Sequence, residues 1–157
     1  MSDNSIPDCL ICSLEGSAET DVVFRDDLWA AEICPGMEIP GWFVLRTRRH
    51  VELITGLDDT EAGALGSRAR DLVAAVAEVT SAPAVYQLVF GENHKHYHCL
   101  VAARTADIDT DRRSGDILRL LTEGARDLDA ARALAPAVRC AYARNSSRTG
   151  EPVPAAR

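Results

Sequence analysis

Three of the four histidines in this chain lie within five residues, in the stretch His94-Lys95-His96-Tyr97-His98. Successive side chains of a β-strand point to opposite faces, so a strand here would carry all three imidazoles on one face. We therefore predict a strand from His94 to Ala102. A lone histidine is usually a packing residue, but three in five residues favour a functional site.

The spacing of these histidines limits what they can do together. In a strand, the Cα atoms of His94 and His96 lie about 6.6 Å apart, and those of His94 and His98 about 13 Å apart. One metal ion with metal–nitrogen bonds near 2 Å takes neighbouring strand histidines, but not easily all three. Different histidines are therefore expected to have different functions.

The rest of the chain alternates between short strands and two helical stretches. Helical spacing of apolar residues predicts helices over residues 59–79 and 114–134. Short apolar runs between turn residues predict strands over 22–25, 28–33, 42–45 and 85–90. Because strands dominate early and helices follow late, the pattern predicts an α+β fold with a mostly antiparallel sheet.

Length and charge narrow the function classes. The 157 residues suffice for one domain, predicted over residues 1–142 with a disordered tail over 143–157. The net charge of −7 argues against nucleic acid as a partner. Without a signal-peptide pattern or a membrane-length apolar run, we expect a cytoplasmic protein that does not bind membranes. Five cysteines, an odd number without paired spacings, fit reduced thiols better than disulfides.

Three segments of the sequence resemble motifs of a single protein family. The run from His94 to Leu100 is similar to the His-φ-His-φ-His-φ-φ signature of the histidine-triad (HIT) superfamily, where φ is apolar. Cys9-Leu10-Ile11-Cys12 resembles the Cys-x-x-Cys of many bacterial members. The segment from Pro40 to His50 resembles the family's Pro-Gly-His-x-Leu-x-Pro-Lys-x-His stretch. The resemblance covers roughly residues 9–104 and implies a HIT-like fold: a five-stranded, mostly antiparallel sheet with two main helices.

The resemblance also implies a reaction. The middle histidine, His96, is expected to attack the α-phosphorus of a nucleotide conjugate, such as a phosphoramidate or a dinucleoside polyphosphate, and form a covalent nucleotidyl-histidine. His98 is expected to protonate the leaving group or hold a phosphate oxygen. The chain is thus expected to be a nucleotidyl hydrolase or transferase.

Further site residues follow from the same resemblance. One structural zinc per chain is expected on Cys9, Cys12, His50 and His94, because members with Cys-x-x-Cys often hold zinc in this way. Glu32 stands near a family position that grips the ribose hydroxyls, and Asn93 and Trp42 are further candidate substrate contacts. Family members commonly form homodimers through paired sheets, so a homodimer is expected.

Departures from the family pattern leave alternatives open. Glu92 lies in the stretch that usually supplies phosphate donors, Lys95 replaces an apolar residue, Thr47 replaces a proline, and Trp42 stands where a histidine is common. One alternative is a nucleotide-binding module with weak catalysis. Another is a metalloenzyme that uses the histidine cluster on a catalytic metal.

Overall fold

The computed structural model describes residues 6–148 and contains one open five-stranded sheet. Its strand order is β1-β2-β3-β5-β4, and every neighbouring pair is antiparallel. The strands are β1 (Val22–Arg25), β2 (Trp29–Glu32), β3 (Trp42–Thr47), β4 (Ala84–Leu88) and β5 (His98–Arg104). The helices are α1 (Leu10–Ser13), α2 (Asp59–Thr80) and α3 (Leu128–Ser146). This architecture confirms the predicted α+β fold.

The two long helices cover one face of the sheet. Their buried residues, including Leu72, Val76 and Val138, pack with Phe43 and Val101 of the central strands in one apolar cluster. Burial of this cluster is the main force holding the helices on the sheet. The predicted helix over 59–79 is confirmed as α2, which begins with a capping box between Asp58 and Glu61.

The opposite face is covered by shorter segments. Ile11 and Leu14 from the N-terminal segment, and Ile117 from a 3-10 helix over Ser114–Leu121, pack on Trp42 and Leu100. The N-terminal segment that carries the Cys-x-x-Cys motif is therefore anchored to the sheet by its own apolar residues.

The later helical region differs from the sequence prediction. A helix was predicted over 114–134, but the structure has a 3-10 helix over Ser114–Leu121, a break, and then α3. Gly124 in the break has a φ of +80°, which interrupts a right-handed helix, and the Asp127 side chain caps the start of α3.

The last helix also extends further than predicted. α3 continues to Ser146, so the predicted boundary at residue 142 falls inside a helix. Residues 149–157 of the predicted tail lie outside the described residues. No helix within residues 6–148 has both the length and the apolar character needed to cross a bilayer.

Candidate metal centre and active site

Two cysteines and two histidines from three parts of the chain come together beside the sheet. Their ligand atoms, on Cys9, Cys12, His50 and His96, all lie within 4.8 Å of one another. Cys9 is the N-cap residue of α1, and its Sγ accepts the backbone N–H of Cys12 at 3.4 Å. His50 follows β3, and His96 precedes β5. The fold thus gathers ligands that are up to 87 residues apart along the chain.

The distances in this group fit a tetrahedral metal ion. The Nδ1 atom of His96 lies 3.6 Å from Cys9 Sγ and 3.4 Å from Cys12 Sγ, and His50 Nδ1 lies 3.3 Å from Cys12 Sγ. Zinc bonds of 2.3 Å to sulfur and 2.0–2.1 Å to nitrogen imply sulfur–nitrogen separations of about 3.5 Å in a tetrahedron. Two thiols and two imidazoles are also a common donor set for structural zinc, and four ligands leave no open position. The residues therefore fit one zinc ion.

The second nitrogen of His96 has its own partner. Nε2 donates to the backbone oxygen of Thr47 at 2.8 Å, which turns Nδ1 toward the sulfurs. A hydrogen bond of this kind orients a metal-binding imidazole and fixes its tautomer. His96 is fully buried, and this burial lowers the pKa of its imidazole to about 4. With both nitrogens engaged, His96 has no lone pair to offer a substrate.

These positions correct the predicted ligand set at one residue. His96, rather than His94, joins Cys9, Cys12 and His50. The physical reason is a bend in the chain: the His96 N–H donates to the His94 carbonyl at 2.8 Å, so β5 begins only at His98. The predicted strand over His94–Ala102 therefore starts four residues late, and the three imidazoles do not share one strand face.

His98 is the first residue of β5, and its orientation is fixed by the backbone. Its Nδ1 donates to the backbone oxygen of His96 at 2.6 Å, so a neutral ring carries its lone pair on Nε2. Burial lowers the pKa of His98, the His96 carbonyl opposes that shift, and nearby His94 adds to it. The imidazole is therefore held neutral and in one tautomer near neutral pH, as a nitrogen nucleophile requires.

Two clefts meet at His98. The first, here called the Asn93 cleft, has a volume of about 360 Å³ and also includes Glu92, Asn93, His94 and Leu118. The second, here called the Leu53 cleft, has a volume of about 230 Å³, and its apolar lining includes Leu53, Ile54, Val89 and Phe90. A ligand at His98 thus has a side rich in hydrogen-bonding groups and a side that suits an apolar or aromatic group.

The predicted substrate contacts have different locations. Asn93 is exposed and lines the first cleft with His98. Trp42 is buried in the sheet, where its indole N–H donates to Ala103 O at 3.1 Å. Glu32 is fully buried and accepts two hydrogen bonds from Arg46. The side chains of Trp42 and Glu32 are therefore not available to a ligand.

The apolar cleft beside His98 was not predicted from the sequence. Val89 and Phe90 are 52% and 66% exposed, although they directly follow an edge strand. The sequence does contain a signal for them: two adjacent apolar residues stand just before Gly91. Adjacent residues of a strand point to opposite faces, so one face cannot bury both. Leu53 and Ile54 carry no comparable signal, because only the fold brings them to His98.

Comparison with solved structures identifies the fold. No protein-family model and no curated protein matches the sequence. A hypothetical histidine-triad nucleotide-binding protein from Sulfolobus tokodaii superposes with a TM-score of 0.68 at 15% identity, over 91% of this chain and 97% of that one. A zinc-bound histidine-triad protein from Mycobacterium smegmatis gives a TM-score of 0.65 at 17% identity, over 89% and 96%. A uridylyltransferase gives 0.63 at 21% identity, over 87% of this chain and 45% of that one.

These similarities establish that the chain has the histidine-triad fold, as the sequence resemblance predicted. The Cys9-Cys12-His50-His96 group is consistent with one zinc ion.

Proposed function

We propose that this chain is a nucleotidyl hydrolase or transferase whose nucleophile is His98. The observation that carries the proposal is the hydrogen bond from His98 Nδ1 to His96 O, which leaves the lone pair of a neutral ring on Nε2 in a residue that lines both clefts. The sequence prediction gave this function to His96, but the nitrogens of His96 face the cysteines and Thr47. The proposed nucleophile is therefore His98, two residues after the residue predicted from the sequence.

The chemistry follows from this arrangement. The lone pair of His98 Nε2 attacks the α-phosphorus of a nucleotide conjugate and forms a nitrogen–phosphorus bond. The bond from phosphorus to the leaving group breaks, and the leaving group departs with the electron pair. Water, or another hydroxyl acceptor, then attacks phosphorus, loses a proton and releases the histidine. Negative charge grows on the phosphoryl oxygens, so fixed N–H donors at the site lower the barrier.

A covalent intermediate makes the proposal testable by intact-protein mass. Wild-type protein is incubated with the 5′-phosphoramidates of adenosine, guanosine and uridine and quenched at high pH, which preserves phosphohistidine. We expect a nucleotide-sized mass gain that His98→Asn abolishes. An adduct that persists in His98→Asn would contradict this mechanism, and the nucleoside giving the fastest adduct would identify the preferred base.

We also propose that the Cys9-Cys12-His50-His96 group holds one structural zinc per chain. Bound zinc would fix the N-terminal segment and the His96 backbone oxygen that orients His98. Metal analysis should give one zinc per wild-type chain, and chelation should lower the melting temperature. His96→Ala should lose the zinc and His94→Ala should keep it. The reverse pattern would show that His94 is the fourth ligand, as predicted from the sequence.

A second candidate function is a nucleotide-binding module without efficient catalysis. The observation in its favour concerns Leu100, which lies two residues beyond His98 on the same strand face. Its side chain has no group that could hydrogen-bond a substrate. The acidic side chain of Glu92 in the Asn93 cleft also favours this function, because it repels a phosphate. Tight mononucleotide binding by calorimetry without any covalent adduct would identify this function.

A further inference from the structure

His94 lies apart from the metal group but next to the proposed nucleophile. The centroids of the His94 and His98 rings are 6.3 Å apart, with an angle of 60° between the ring planes. That separation is wider than a direct hydrogen bond between the rings allows. His94 is half-buried, and it lines the Asn93 cleft together with His98.

The position next to His98 on the same face of β5 supplies no side-chain donor. Side chains two residues apart share a strand face, so the position that follows His98 on its face is Leu100. Leu100 is 3% exposed and packs in the apolar cluster of that face. A histidine-triad signature that begins at His96 would thus have leucine as its third member. If a side chain assists His98, it must come from another segment.

The bend before β5 brings His94, from outside the strand, close to His98. Because the chain turns between His94 and His96, His94 leaves the line of the strand and comes to lie against His98. The same cleft contains the amide of Asn93, a second donor, and the carboxylate of exposed Glu92, which repels anions. Two donors near one nitrogen nucleophile suit a tetrahedral phosphate, whose oxygens lie in several directions.

We propose that His94 is a catalytic residue that donates an imidazole N–H hydrogen bond to a phosphoryl oxygen of the substrate held at His98. This inference rests on the proposed function and deepens it. It makes the ligand of the Asn93 cleft a phosphate group, as in a nucleoside 5′-phosphate or its conjugate. A neutral imidazole suffices for this role, since each neutral ring has one N–H to donate.

The test measures two properties of His94→Leu in the zinc-loaded protein. The first is the affinity for adenosine and uridine 5′-monophosphates and for the corresponding unphosphorylated nucleosides. We expect about tenfold weaker binding of the monophosphates and little change for the nucleosides. The second is the single-turnover rate of adduct formation, which should fall about 100-fold, the lower end for loss of one such donor.

Three controls separate a phosphate contact from a structural effect. Zinc content and melting temperature should match wild type, because His94 lies outside the metal group. His94→Asn retains an N–H donor and should recover part of the rate. Lys95→Leu changes the neighbouring exposed residue, which does not line the Asn93 cleft, and should leave the rate within about threefold of wild type.

The outcomes distinguish this inference from the function on which it rests. If wild type forms the adduct and His94→Leu forms it equally fast with equal monophosphate affinity, the role of His94 is overturned. If wild type forms no adduct but His94→Leu weakens monophosphate binding selectively, the covalent chemistry fails and the phosphate contact stands. If wild type binds no monophosphate at millimolar concentration, both are overturned.

Discussion

Arg46 is a fully buried guanidinium whose charge is shared between two carboxylates. Its Nη2 donates to Glu32 at 2.7 Å, and its Nη1 donates to Glu15 at 2.9 Å. Glu15 follows Cys12 by three residues, so Arg46 ties the metal-binding segment to the sheet. Burial raises the pKa of Glu32, and the Arg46 guanidinium opposes that rise. The metal-binding segment is thus held by an ion-pair network whose Arg46 and Glu32 members are fully buried and whose Glu15 member is partly exposed.

Removal of the Glu32 charge should destabilise the protein strongly. Glu32→Gln leaves a buried guanidinium short of one carboxylate, and breaking such a pair costs about 3–5 kcal/mol. Urea unfolding of the two proteins measures the difference. Arg25 lies 3.6 Å from Glu32 and 3.9 Å from Glu19, whose side chain is 88% exposed. Glu19→Gln is therefore the control, and it should change stability little. Unchanged stability with weakened nucleotide binding would instead support the predicted ribose contact.

The histidines illustrate what single residues in a sequence can and cannot reveal. The number and spacing of the imidazoles indicated a functional site, and the structure brings three of the four predicted metal ligands, Cys9, Cys12 and His50, together. The exchange of His94 and His96 was not predictable from local pattern. It depends on a bend that is held by distant groups, including the Val51 carbonyl, which accepts the Tyr97 N–H, and the Thr47 carbonyl, which accepts from His96.

At the level of elements, local signals decided how well each boundary was predicted. Strand β1 matches its prediction, and α2 extends only one residue further, because turn residues and a capping box mark their ends. The predicted helix over 114–134 was wrong, since its apolar spacing continued across Gly124 and Asp127. Those two residues carried the stop and start signals, but helical periodicity outweighed them in the prediction.

Asp26 joins two elements and should make their stability depend on pH. Its carboxylate accepts backbone N–H groups of Leu28 and Trp29 in the turn between β1 and β2, and it pairs with Arg68 of α2. Burial alone would raise the pKa of Asp26, but these hydrogen bonds outweigh it and lower the pKa below its usual 3.8. The ionised form therefore stabilises the fold above pH 3.8, and this contribution disappears as the pH falls through the lowered value.

The measurement compares Asp26→Asn with wild type in urea at pH 7 and near pH 2.5. We expect a loss of about 1–2 kcal/mol at pH 7, typical of hydrogen bonds to a charged group, and a smaller difference in acid. Asp27→Asn alters the adjacent, exposed carboxylate and should change stability little at either pH. A difference that is the same at both pH values would show that shape, rather than charge, is the contribution of Asp26.

At the scale of the whole molecule, the sheet ends in two edge strands, β1 and β4, and β4 leads into the Leu53 cleft. β4 pairs only with β5 in the described chain, so its other edge presents free backbone groups. Val89 and Phe90 extend from the end of this strand, and Leu53 and Ile54 lie beside them around the Leu53 cleft. An open edge next to exposed apolar side chains favours pairing with another strand.

We therefore expect a symmetric dimer in which β4 pairs with β4 of a second copy and Phe90 is buried at the contact. A twofold contact of this kind is self-complementary and closes after two chains. Sedimentation should give twice the 17.0 kDa of one chain, and Phe90→Ser should shift the protein toward the monomer by removing apolar contact area. Leu128→Ser, which alters an exposed apolar residue at the start of α3, should leave the dimer intact. A wild-type monomer at micromolar concentration, or a dimer weakened by Leu128→Ser but not by Phe90→Ser, would contradict pairing at β4.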